Sequence, residues 1–111
     1  ITKLCEGLTG SAVTSLNLTD NQLCGVKYGR GTYTSEGITK LCEALKGSVV
    51  TSLNLKLNDI GAKGATALAA ILNENTKLIN LNLAWNGLSH ETKKALKDAA
   101  RSSGVSINIT F

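Results

Sequence analysis

The sequence predicts an α/β solenoid, a stack of units that each contribute one short strand and one helix. Two observations carry that expectation. A phrase recurs three times along the chain, Leu16-Asn17-Leu18, Leu53-Asn54-Leu55 and Leu81-Asn82-Leu83, and each copy is followed three residues later by Asn21, Asn58 or Asn86. Between copies the apolar spacing changes from period two, which marks a strand with one buried face, to i, i+3, i+4, i+7, which marks a helix. Copies at Leu53 and Leu81 are 28 residues apart, a spacing typical of strand-plus-helix repeats, whereas those at Leu16 and Leu53 are 37 apart. With 111 residues and an aromatic share of only 4%, the chain is one domain whose core must be built from Leu, Ile, Val and Ala.

The elements follow in order. Ile1, Leu4, Cys5 and Leu8 form a first helical stripe over residues 1–12, a partial repeat. Residues 1–18 and 38–55 are nearly identical, differing only at Gly7/Ala44, Thr9/Lys46 and Ala12/Val49, so the chain opens inside a helix and is expected to be a C-terminal piece of a longer array. Residues 13–49 form the first full unit, with strand anchors Val13, Leu16, Leu18 and Leu23 and a helix carrying Ile38, Leu41, Cys42 and Leu45 on one face. Residues 50–77 repeat it with Val50, Leu53, Leu55 and Ile60, then Ala65, Leu68, Ala69 and Leu72. In residues 78–111, after Leu78, Leu81, Leu83 and Leu88, Ser89 can N-cap a helix over about His90 to Ser102. Ala95, Leu96 and Ala99 would face inward and Lys93, Lys94, Lys97 and Arg101 outward. Gly104 ends that helix, and Val105 to Phe111 alternate as a last edge strand that caps the domain. The asparagine three residues past each phrase sits where the chain leaves the sheet, where its amide can bond backbone groups otherwise left orphaned.

Written as L-x-x-L-x-L-x-x-N-x-L, the three units match the leucine-rich repeat. The 28-residue unit and the turn Asn58-Asp59-Ile60-Gly61-x-x-Gly64 resemble the ribonuclease-inhibitor class of that family. The resemblance implies a horseshoe segment with parallel strands on its concave side and helices on its convex side. It also implies protein recognition rather than chemistry.

The 37-residue spacing has a local cause. Aligning Leu23-Cys24 with Ile60-Gly61, and Glu36-Gly37 with Lys63-Gly64, leaves about ten extra residues within Gly25 to Ser35. Val26-Lys27-Tyr28 and Thr32-Tyr33-Thr34 flank Gly29-Arg30-Gly31, the pattern of a small β-hairpin leaving the strand-to-helix loop. Such a hairpin is either a tolerated insertion packed on its neighbours or a recognition finger, for which Tyr28, Arg30 and Tyr33 are suitable residue types. The glycines lack the spacing and lysine of a phosphate loop.

Side chains on the open face of the sheet fall into rows: Ser15, Ser52 and Asn80; Asn17, Asn54, Asn82 and Asn108; Thr19, Lys56 and Ala84. The asparagine row either satisfies itself as a ladder between strands or offers amides to a polar partner. One residue beyond the third row come Asp20, Leu57 and Trp85, on the rim from which the insertion departs. The expected partner-binding set is therefore Tyr28, Arg30, Tyr33, Asn54, Lys56, Leu57, Asn82 and Trp85.

Enzymatic function is not expected, because the lone His90 has no serine or cysteine placed to use it. One histidine and three cysteines make no metal set, and no cofactor is expected. A net charge of +4, concentrated in the last helix, favours an acidic protein partner. Nucleic acid is not expected, since no aromatics interleave with those basic residues. Nor is a membrane span, since no eighteen-residue apolar run exists. Cys5 and Cys42 occupy equivalent places on adjacent helices, about 8–10 Å apart between axes, beyond disulfide reach. Free thiols favour the cytoplasm. The sequons Asn17-Leu18-Thr19 and Asn108-Ile109-Thr110 fall within strands and arise from the repeat itself. Two functions remain: a protein-binding scaffold, or a structural segment that forms homodimers through exposed solenoid ends or edge strands.

Overall fold

A computed structural model describes residues 6–8, 10–21, 23, 34–72, 77–102 and 107–111. It contains four short strands, β1 (Ser15–Asn17), β2 (Ser52–Asn54), β3 (Asn80–Asn82) and β4 (Asn108–Thr110), and three helices, α1 (Glu36–Lys46), α2 (Gly61–Leu72) and α3 (His90–Ser102). The strands form one parallel sheet in sequence order, β1-β2-β3-β4. A helix links β1 to β2, β2 to β3 and β3 to β4, as parallel pairing requires of its crossovers. Each helix packs beside the next on one face of the sheet.

The core is the interface of these two layers. Leu53, Leu55, Leu81 and Leu83 point from the strands to the helices and are almost fully buried, meeting Ile38, Leu41, Leu45, Leu68, Leu72 and Leu96. Helix α1 buries all four residues of its predicted stripe, including Cys42. The last helix has the expected bounds, and its start is fixed as expected: the Ser89 hydroxyl accepts the Thr92 N–H at 3.2 Å. Its inner face is rotated slightly from the expectation. Leu96 and Ala99 are buried, but Ala95 is exposed and Ala100 is buried in its place.

Register settles the rows on the open face. Ser15, Ser52, Asn80 and Asn108 align, as do Asn17, Asn54, Asn82 and Thr110. Asn108 therefore belongs to the first row, not the second, because β4 begins two residues later in its unit than the alternating pattern suggested. The proposed hairpin, with Tyr28, Arg30 and Tyr33, lies outside the described residues, as does Cys5. Its two ends are described. Leu23 and Gly37 are both buried, and a Cβ on Gly37 would strike the Leu23 carbonyl. In the uninterrupted unit the equivalent pair is joined by a hydrogen bond from Gly64 N–H to Ile60 C=O, 3.3 Å. Leu23 and Gly37 thus meet as closely as Ile60 and Gly64 do in the unit without extra residues.

Candidate functional site

Two of the three asparagines that follow the phrases, Asn58 and Asn86, are buried structural parts of the stack rather than a site. Asn58 is fully buried, and its Nδ2 donates to the carbonyls of Leu18, Leu55 and Lys56 at 2.8, 3.0 and 3.2 Å. Its Oδ1 accepts the N–H groups of Asn21 and Leu23 at 3.0 and 3.2 Å. Asn86 repeats the arrangement one unit on, donating to Leu55, Leu83 and Ala84 and accepting from Asn58 and Ile60. Each buried amide ties its own turn to that of the preceding unit. No buried side-chain nitrogen or oxygen among the described residues lacks a partner.

With its turns stitched this way, the chain bends sharply after each strand, and Asp59 and Gly87 farther along the turns also take positive φ. Asp20, Leu57 and Trp85 all adopt the left-handed conformation, with φ of 54°, 61° and 59°. The bend is held from both sides, since Asp20 N–H bonds Lys56 C=O at 2.9 Å and Leu57 N–H bonds Ala84 C=O at 3.1 Å. These three residues therefore stand in a row along the rim, one strand spacing of about 4.8 Å apart. Aspartate tolerates this conformation through its short polar side chain; leucine and tryptophan adopt it at a cost. Both are nonetheless placed there and left in solvent, Leu57 44% and Trp85 74% exposed.

The neighbouring row on the open face behaves differently from a ladder. Asn54 Oδ1 accepts the Lys56 N–H at 3.1 Å, Asn82 Oδ1 the Ala84 N–H at 3.0 Å, and Asn17 Oδ1 both the N–H and the hydroxyl of Thr19. Every amide oxygen turns along its own strand and caps the strand end, so the expectation of bonding between strands is not met. The amide N–H2 groups of Asn54 and Asn82 have no partner among the described residues and line the open face as donors. Asn54, Lys56, Leu57, Asn82 and Trp85 are thus brought together on β2, β3 and the turns that follow them.

Beyond Trp85 the rim continues into an opening of about 360 Å³ lined by Leu83, Trp85, Leu88, Lys93 and Phe111. Phe111 follows β4 and is half-buried against the core, with the ammonium groups of Lys93 and Lys97 over its ring at 5.8 and 5.6 Å from the centroid. The sequence pattern assigns both lysines to a solvated face and Phe111 to the last edge strand, with no site role. The signal was present: residues 93 and 97 share a helix face, and the Ile107, Ile109, Phe111 alternation turns the phenyl ring toward that helix.

A family model described as Leucine Rich repeat matches residues 48–69, from just after α1 through most of α2. The fold is that of a leucine-rich repeat. No curated protein matches the chain in sequence. Among solved structures, the leucine-rich-repeat stack is similar to a tropomodulin C-terminal domain from Caenorhabditis elegans, with a TM-score of 0.76 over 97% of this chain at 18% identity. The chain spans 62% of that structure's length. Among the described residues no group of histidine, cysteine, aspartate and glutamate could hold a metal ion, and no helix is long and apolar enough to cross a membrane.

Proposed function

We propose that this leucine-rich repeat is a non-enzymatic scaffold that binds a protein partner through the open face of its sheet and the rim bearing Leu57 and Trp85. The observation that carries the reading is Trp85. An exposed indole on a left-handed backbone contributes little to folding, while large aromatic side chains supply much of the energy of protein interfaces. Lys56 and the amides of Asn54 and Asn82 add directional polar contacts beside it. Tyr28, Arg30 and Tyr33 extend the same surface if the insertion forms the proposed hairpin, which leaves the stack from this rim. The ribonuclease-inhibitor-like class is supported by the 28-residue unit, and a cytoplasmic setting by the buried thiol of Cys42. The partner is acidic, matching the chain's charge of +4.

The test is affinity capture with the wild-type chain, Trp85→Asn, and a deletion of Val26 to Tyr33. Loss of the same partner from Trp85→Asn, at unchanged stability, is the expected result; identical captures from all three proteins would exclude this surface. The competing function, self-association through the ends of the solenoid, has support in the exposed Val13 beside the edge strand β1 and in the edge strand β4. Light scattering over a dilution series separates the two, since a strict monomer leaves only the scaffold.

A further inference from the structure

The opening beside Trp85 has a chemistry that the rest of the rim lacks. Its lining includes the apolar Leu83, Leu88 and Phe111, and no acidic residue is among the described residues that line it. Lys93, which lines it, and Lys97, one helical turn on, place two ammonium groups over the Phe111 ring, whose face attracts them. Helix α3 carries Lys93, Lys94, Lys97 and Arg101 against Glu91 and Asp98, and Asp98 is engaged by Arg101 at 3.7 Å, away from the opening. The charge that would complement this place is negative and has to sit next to an apolar group.

Strand β4 indicates that the ligand is a peptide rather than a small anion. Asn108 and Thr110 bond to β3, through the Asn108 N–H to Ile79 C=O and the Leu83 N–H to Thr110 C=O, both 2.7 Å. Ile109 between them turns its own N–H and C=O to the outer edge, where no described residue meets them. An extended segment can pair with that edge while one of its side chains enters the adjoining opening.

We propose that the Trp85–Phe111 opening binds an extended segment of a partner protein in which a large apolar side chain is flanked by carboxylates, the apolar group seated on Leu88 and Phe111 and the carboxylates paired with Lys93 and Lys97. The opening, about 360 Å³, accommodates one such side chain. This deepens the scaffold function and rests on it, by assigning partner chemistry to one end of the same rim.

Trp85 is the only tryptophan in the chain, so its emission reports directly on this opening. The wild-type chain is titrated with the capped peptide Glu-Asp-Leu-Phe-Glu-Asp and with the same peptide carrying Gln and Asn in place of its acids. A saturable blue shift with the acidic peptide alone is expected, its affinity falling about tenfold or more in Lys93→Glu/Lys97→Glu and when salt rises from about 0.05 to about 0.5 M. Lys93→Gln/Lys97→Gln, checked by circular dichroism, gives an intermediate loss and guards against misfolding of the charge-reversed protein. Binding that is equal in the lysine variants, or a shift that appears with protein concentration and no peptide, overturns the assignment; the latter identifies a second copy as the occupant. If the peptide fails while partner capture still depends on Trp85, this inference falls and the scaffold function stands. If both fail, both fall.

Discussion

Trp85 and Leu57 occupy a backbone conformation that L-residues with large side chains adopt at a cost of about 1–2 kcal/mol, and Asp20 shows the cheaper solution at the same place in the first unit. Trp85→Asn is therefore expected to leave stability unchanged or to raise it by up to about 1 kcal/mol in urea unfolding, because Asn tolerates positive φ. A loss of more than about 1 kcal/mol would instead make the indole a packing element. The buried asparagines predict the opposite behaviour. Asn58→Ala takes away the partner of Leu18 C=O and of the Asn21 and Leu23 N–H groups, while Leu55 and Lys56 C=O keep the bonds from Asn86 and Asp20, and it is expected to cost about 3 kcal/mol. Asn21, exposed and bonded through its own amide only to Thr19 C=O among the described residues, should cost under about 1 kcal/mol when changed to Ala. Equal losses at the two positions would mean that the amide stitching is not what joins the turns.

At the scale of elements, the glycines distinguish a close approach from an open surface. Gly37 opens α1 against the Leu23 carbonyl, so Gly37→Ala must shift the helix or the loop and should destabilise by about 1–3 kcal/mol. Gly7 lies in the helical turn Glu6–Leu8 with open space around it, and Ala44 stands at its place in the next unit; Gly7→Ala should stabilise by about 0.5–1 kcal/mol. Thermal melts of the two variants, shifted in opposite directions, would check both. The same elements show what was legible in the sequence. Strand phrases, helix stripes, the Ser89 cap and the bounds of α3 follow from period and cap chemistry, which act within a few residues. The left-handed rim, the placement of Asn108 and the Phe111 opening depend on how one unit sits on the next. Periodicity within a unit carries no information about that. Asp20 at one rim position was the sole hint of positive φ, and Leu57 and Trp85 in the other two units concealed it.

For the whole molecule, stacking makes each unit's stability depend on its neighbours. One aligned row samples this directly: Leu16, Leu53, Leu81 and Ile109 are partners across the four strands. Leu53 and Leu81, flanked by a strand on each side, are 2% and 1% exposed, whereas Leu16 and Ile109 at the two edges are only half-buried. Truncation to Ala should then cost about 2–5 kcal/mol at residues 53 and 81, where a cavity opens that the layers cannot close. At residues 16 and 109 the cost should be nearer 1 kcal/mol, because water already reaches the site. Denaturant midpoints of the four variants measure this profile. Repeating the series at several protein concentrations adds a second result: if copies associate through the sheet edges, Leu16→Ala and Ile109→Ala become costlier as concentration rises while the central pair does not. A profile independent of concentration would leave the edges open to a partner of a different kind, as the peptide assignment at β4 requires. Four equal losses would mean that the sheet does not behave as a stack of neighbour-dependent units, and the gradient of burial would then have no energetic counterpart.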